Sequence, residues 1–127
     1  MYKQYITETN KKICKDSKLR KDNYLDNISN FITIALTEQD NIIQNAIKVA
    51  AVIKLYQPFY DGNHRTALII FSDILTQKGY TFDIEQALND MNNHKLNIPT
   101  IYDETDSISD SYIQRYDKYI IDKPKAL

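Results

Sequence analysis

The chain has 127 residues, the size of one domain, and its 43% of hydrophobic residues can fill one modest core. Lys+Arg of 16 against Asp+Glu of 17 leaves a net charge of -1, which excludes the global basic excess expected of a nucleic-acid binder. A single cysteine, Cys14, excludes an internal disulfide and fits a reducing compartment.

The segment MYKQYITETNKK is too polar for a secretory signal, and no apolar run approaches the roughly 20 residues of a membrane span. A cytoplasmic protein is expected, or an effector delivered from the cytosol, with no membrane partner. Charge is uneven along the chain. Lys3 to Asp26 carries seven basic and four acidic residues, and Asp103 to Asp122 carries six acidic and two basic. A solvated surface explains both runs; weak steering of a charged partner is the functional alternative. With only 2 glycines and 3 prolines there are few helix breakers, so an all-α single domain over 1–127 is predicted.

The first expected helix covers 2–14, followed by the polar stretch KDSKLRKDN as a loop or frayed end. Phe31, Ile32, Thr33 and Ile34 have strand propensity, so a short β-hairpin flap across 28–37 is one expectation, and an ordinary helix or a buried extended connection is the other. Thr37-Glu-Gln-Asp40 then has the look of a capping box, with Asp40 in the reciprocal place. Ile42, Ile43, Ala46, Ile47, Ala50 and Ile53 recur at helical spacing. That helix should end near Tyr56, because Pro58 disfavours helical geometry at Gln57.

Asn63 is a suitable N-cap for a helix over 64–78, with Ala67, Leu68, Phe71, Ile74 and Leu75 on its apolar face. Lys78 and Gly79 suit its end. After the extended link YTFD, Asp83 and Gln86 predict a capped helix to about Asn93. KLNIPTIYDETDS is a loop. Asp110 to Ile121 is expected to be the last helix, with Tyr112, Ile113, Tyr116, Tyr119 and Ile120 inward and Pro124 beyond it. Asp73, Glu85 and Asp90 are expected on solvated faces, and His94 on the surface.

The chemistry concentrates in LYQPFYDGNHRTALIIF, Leu55 to Phe71. Pro58 and Phe59 can wedge a loop against the core. Gly62 permits a positive φ or the close approach of a ligand. The N–H groups that open the next helix favour an anion, Arg65 adds a permanent charge suited to phosphate, and Asp61 beside an anion calls for a cation such as Mg²⁺. Together these describe a nucleotide-phosphate site. The plain structural alternative is a tight αα connection, with Asn63 capping and Asp61 paired to Arg65.

QPFYDGNHRTA resembles the signature of the Fic/Doc (Fido) family, His-Pro-Phe-x-Asp/Glu-Gly-Asn-Gly/Lys-Arg. Pro58, Phe59, Asp61, Gly62, Asn63 and Arg65 match, and Thr66, Ala67 and Leu68 follow the Doc-type continuation. The resemblance covers most of the chain, with helices before and after the motif. It implies a Fic/Doc-like helical bundle and a transferase that moves AMP, or in the Doc branch phosphate, from ATP to a Ser/Thr/Tyr hydroxyl of a target protein. By the same resemblance Asp61 would hold Mg²⁺, while Gly62, Asn63 and Arg65 would bind nucleotide phosphates. The target would dock on the flap at 28–37, where an extended peptide could add a strand. The chain would act as the toxin of a toxin–antitoxin pair.

Two positions depart from the signature. Gln57 stands at the place of the catalytic histidine, and an amide cannot be a general base. Its loss costs typically 10²–10⁴-fold, so activity should be weak, altered or absent. His64 stands where the family has Gly or Lys; it can bind phosphate when protonated or serve as a displaced base. The family's autoinhibitory pattern finds its nearest match in Thr81 to Gln86, broken at Gln86, so any inhibitor would be a separate antitoxin. Two competing functions follow: an inactive Fic-fold pseudoenzyme that binds nucleotide or protein, and a helical nucleic-acid-binding module using the basic N-terminal run.

Overall fold

A computed structural model describes residues 2–15, 18–20, 23–103 and 105–124. Among these the chain forms α1 (Lys3–Ile13), α2 (Asn23–Thr37), α3 (Ile42–Tyr56), α4 (Asn63–Gln77), β1 (Thr81–Phe82), α5 (Ile84–Asn92), α6 (Asp110–Asp117) and β2 (Ile120–Asp122). The all-α expectation therefore describes the bulk of the fold, with one small antiparallel sheet added.

Helix α4 is the central element. It packs against α1, α2, α3, α5 and β1, with α3 as its most extensive neighbour. Its buried Ala67, Leu68, Ile70, Phe71, Ile74 and Leu75 leave a single turn-spaced row for solvent. Phe71 anchors the far side of the core: its ring meets Phe82 edge-on at 5.0 Å and Tyr116 at 5.1 Å. The capped helix predicted after YTFD is present as α5, where the Asp83 carboxylate accepts from Gln86 N–H at 3.1 Å.

The flap expected at 28–37 is not a hairpin. Leu25, Ile28, Ile32 and Ala35 are all buried, and their steps of three and four place them on one helical face. The strand propensity of Phe31 to Ile34 is overridden by that periodicity. Because a helix pairs its backbone groups internally, this segment offers no strand edge to a target peptide. Thr37 likewise closes α2 and does not open α3: its hydroxyl donates back to Thr33 O at 2.8 Å. The link to α3 passes through Asn41 at φ 56.

The C-terminal region also differs from expectation. Helix α6 stops at Asp117, and Ile120 to Asp122 pair with Thr81 and Phe82. The β-branched Ile120 and Ile121 gain a strand partner there, and Asp83 N–H donates to Tyr119 O at 2.8 Å. The Tyr119 hydroxyl donates to Asp90 at 2.6 Å and Gln86 adds a second hydrogen bond at 2.9 Å. Asp90 is thus buried and not on a solvated face; the Tyr119 bond holds its carboxyl below the usual range. Asp73 is exposed but accepts from the Tyr5 hydroxyl at 2.5 Å. Thr81 to Gln86, the segment nearest the family's inhibitory pattern, is divided between β1 and the start of α5.

No helix of the described residues is long and apolar enough to cross a membrane.

Candidate functional site

The motif loop begins where α3 ends. Gln57 takes a left-handed conformation, φ 45 and ψ 63, and its N–H closes the helix onto Ile53 O at 2.9 Å. The residue before Pro58 thus leaves the right-handed helix, and α3 ends at Tyr56 as expected. A non-glycine residue in the left-handed region costs of order 1–3 kcal/mol and persists only when its surroundings hold it. Here the holding partner is visible: Arg20 Nη1 donates to Gln57 O at 3.1 Å. Beside it, Arg20 N–H donates to Pro58 O at 2.6 Å and Tyr60 N–H to Lys18 O at 3.0 Å, pairing Leu19 with Phe59. Part of the polar stretch KDSKLRKDN is thus a short strap over the motif; its residues 16–17 and 21–22 lie outside the described residues.

Asn63 locks the other half of the loop. Its Oδ1 accepts from Phe59 N–H at 3.0 Å, and its Nδ2 donates to Phe59 O at 2.8 Å. The residue is buried, 8% exposed. Its amide is committed to the Phe59 backbone and does not cap α4. The cap position falls to Gly62, and α4 starts at Asn63 instead of 64.

Gly62 has φ +76, and a Cβ there would lie 2.8 Å from Cys14 Sγ and 3.1 Å from Asn10 Nδ2. The glycine is required by the end of α1 pressing on the loop, as well as by its φ. Asn10 fastens the same contact, donating to Asp61 O at 2.8 Å and to Thr66 Oγ1 at 3.2 Å.

Asp61 turns its carboxylate onto the helix start: Oδ1 accepts from Gly62 N–H at 2.8 Å. Its Oδ2 lies 3.7 Å from Cys14 Sγ, and Arg65 Nη2 donates to the same sulfur at 3.0 Å. Cys14 therefore stands between the acid and the base of the motif, a role that its solitary place in the sequence gave no sign of. The α4 ladder opens with Thr66 N–H to Gly62 O at 2.9 Å. The N–H groups of Asn63, His64 and Arg65 precede it, and helix geometry provides them no acceptor within the helix.

The motif loop borders one cavity of about 520 Å³. Gln57, Asp61, Gly62, Asn63, His64 and Arg65 line it, so the structure brings every sequence-predicted site residue together. A further wall comes from Met91, Asn92, His94, Leu96, Asn97 and Ile98, and Lys54 joins from α3. His94, expected as a surface residue, is exposed but stands on this wall at φ 60. Sequence reasoning missed Lys54 and the 91–98 wall. Lys54 had one usable signal, its place in the last turn of α3, three residues before Gln57.

His64 holds its proton less tightly than a free histidine; partial burial is the larger cause and the positive charge of Lys54 the second. Its neutral form is therefore favoured in the folded chain. Asp61 is the one carboxylate lining the cavity among the described residues, and these contain no cluster of three metal-ligating side chains. A Mg²⁺ held by protein alone does not fit. One carried by phosphate oxygens, with Asp61 as a protein ligand, does.

Comparisons with protein-family models, with curated proteins and with solved structures gave no match for this chain.

Two measurements check this geometry. Gly62→Ala is expected to destabilise the fold by about 1–3 kcal/mol, from clash and left-handed strain. In a Cys14→Ala background the same change should cost less, because the sulfur clash is removed while the Asn10 contact and the strain remain. Equal costs in urea unfolding would disprove the contact. For His64, the unfolded chain binds the proton more readily than the folded one, so acidification below pH 6.5 penalises the fold. The loss of stability between pH 7 and about pH 5 should be shallower in His64→Gln than in the parent.

Proposed function

We propose that the chain is a Fic/Doc-like, nucleotide-dependent transferase acting on a hydroxyl of a target protein, with its chemical step slowed by Gln57. The observation that supports this reading is the convergence of the motif residues and the α4 N-terminus on the lining of a single cavity. The N–H groups of His64 and Arg65 and the Arg65 charge would bind phosphate oxygens. Asp61 would hold Mg²⁺, which when bound neutralises phosphate charge. The Gln57 amide can donate and accept hydrogen bonds, so it can orient an acceptor hydroxyl but cannot take its proton. Phosphoryl transfer leans on positioning and charge neutralisation, so slow turnover is compatible with a missing base.

A binding protein of the same fold without turnover is the second reading. It is favoured by Gln57 itself and by Asp61 already accepting from its own loop. The nucleic-acid reading loses ground, because Arg20, at the centre of the basic run, is engaged with the motif loop.

The test uses ATP labelled at the α or γ phosphate, incubated with cell lysate and either the parent or Gln57→His. The parent should bind ATP and label slowly or not at all, and Gln57→His should raise transfer by about 10²–10⁴-fold. Transfer of α label marks AMP transfer, and γ label alone marks phosphate transfer. Absence of both ATP binding and labelling in the two proteins would refute the transferase and the binding reading alike.

A further inference from the structure

Lys54 is the cation that the motif does not contain. It is half-buried on α3, one turn before Gln57, and lines the 520 Å³ cavity. Its ammonium donates to the Ile98 carbonyl at 2.5 Å. A neutral carbonyl takes one of three N–H donors and leaves the charge uncompensated. Ammonium groups are rarely buried without a counter-charge, and an anionic oxygen is a stronger acceptor than a carbonyl. The cavity's carboxylate, Asp61, is directed to Gly62 N–H on the α4 side. Two cationic side chains, Arg65 and Lys54, therefore border the same space, and the Lys54 charge is felt at His64 at the start of α4.

We propose that Lys54 is a phosphate-binding residue of this cavity, holding a phosphate group between the Ile98 carbonyl and the start of α4. This deepens the nucleotide reading above and rests on it. The anion would displace or share the Ile98 carbonyl, and the ammonium would supply charge neutralisation there. Lys54 also lines a neighbouring cavity of about 330 Å³ with Ser107, Ser109 and Tyr112. A ligand bound through Lys54 therefore abuts a second space.

The experiment titrates adenosine, ATP with Mg²⁺ and inorganic tripolyphosphate into the parent, Lys54→Gln and Lys54→Arg, with circular dichroism melts as the control for folding. Lys54→Gln should weaken ATP and tripolyphosphate about 10-fold and leave adenosine unchanged, while Lys54→Arg keeps most of the affinity. A purely structural Lys54, acting through the Ile98 bond, would alter all three ligands together. A second measurement needs no variant: acetylation of Lys54 by acetic anhydride, followed by mass spectrometry, should slow when tripolyphosphate is added to the parent. If the parent binds ATP but Lys54→Gln binds it equally well, or acetylation is unprotected, the Lys54 assignment fails alone. If the parent binds neither ATP nor tripolyphosphate, the nucleotide reading fails and the Lys54 assignment with it.

Discussion

The amide of Asn63, closed in both directions on the backbone of Phe59, is the contact on which the rest of the site depends. It turns the five residues from Phe59 to Asn63 into a ring and fixes where α4 begins. Once that start is fixed, the N–H groups of His64 and Arg65 have one direction, Asp61 sits on Gly62 N–H, and the cavity has its floor. The ring is buttressed from outside by two parts of the N-terminal region. The end of α1 presses Cys14 and Asn10 onto Gly62 and Asp61. The strap at Lys18 to Arg20 pairs with Phe59 and holds the Gln57 carbonyl. Part of the run of positive charge that reads as solvated surface is thus spent on loop geometry.

Gln57 gains meaning from this frame. Its backbone is held in a left-handed conformation that an unconstrained glutamine before proline would leave, and its side chain is exposed at the cavity. Strain at a cavity wall is a pattern associated with working residues, and here it presents a group with no acid–base chemistry. On the proposed reading, phosphate recognition would rest on α4 and Arg65, and turnover on what stands at position 57.

Much of the helical framework was legible because its signals are periodic. The apolar rows of α3 and α4, the stop before Pro58, the left-handed Gly79 and the Asp83 cap all follow from local chemistry, and each is present. The errors have a common origin. Phe31 to Ile34 has strand propensity, but the spacing of Leu25, Ile28, Ile32 and Ala35 decides the matter through packing. Ile120 and Ile121 continue a helical pattern yet gain more by pairing with β1. Asn63 has the identity of a cap but is used as a clamp. The motif residues were legible as a cluster because they are contiguous. Lys54, His94, Cys14 and Arg20 were not, since only the fold brings distant segments to the loop.

The claim that binds these observations together is that the start of α4 is an anion site. Nuclear magnetic resonance on ¹⁵N-labelled chain, titrated with ATP and Mg²⁺, tests it most directly. The account predicts saturable shifts of the His64 and Arg65 amide signals, with smaller changes along the 91–98 wall and none at β1 and β2. Amide signals of His64 and Arg65 that stay fixed through millimolar ATP would contradict it.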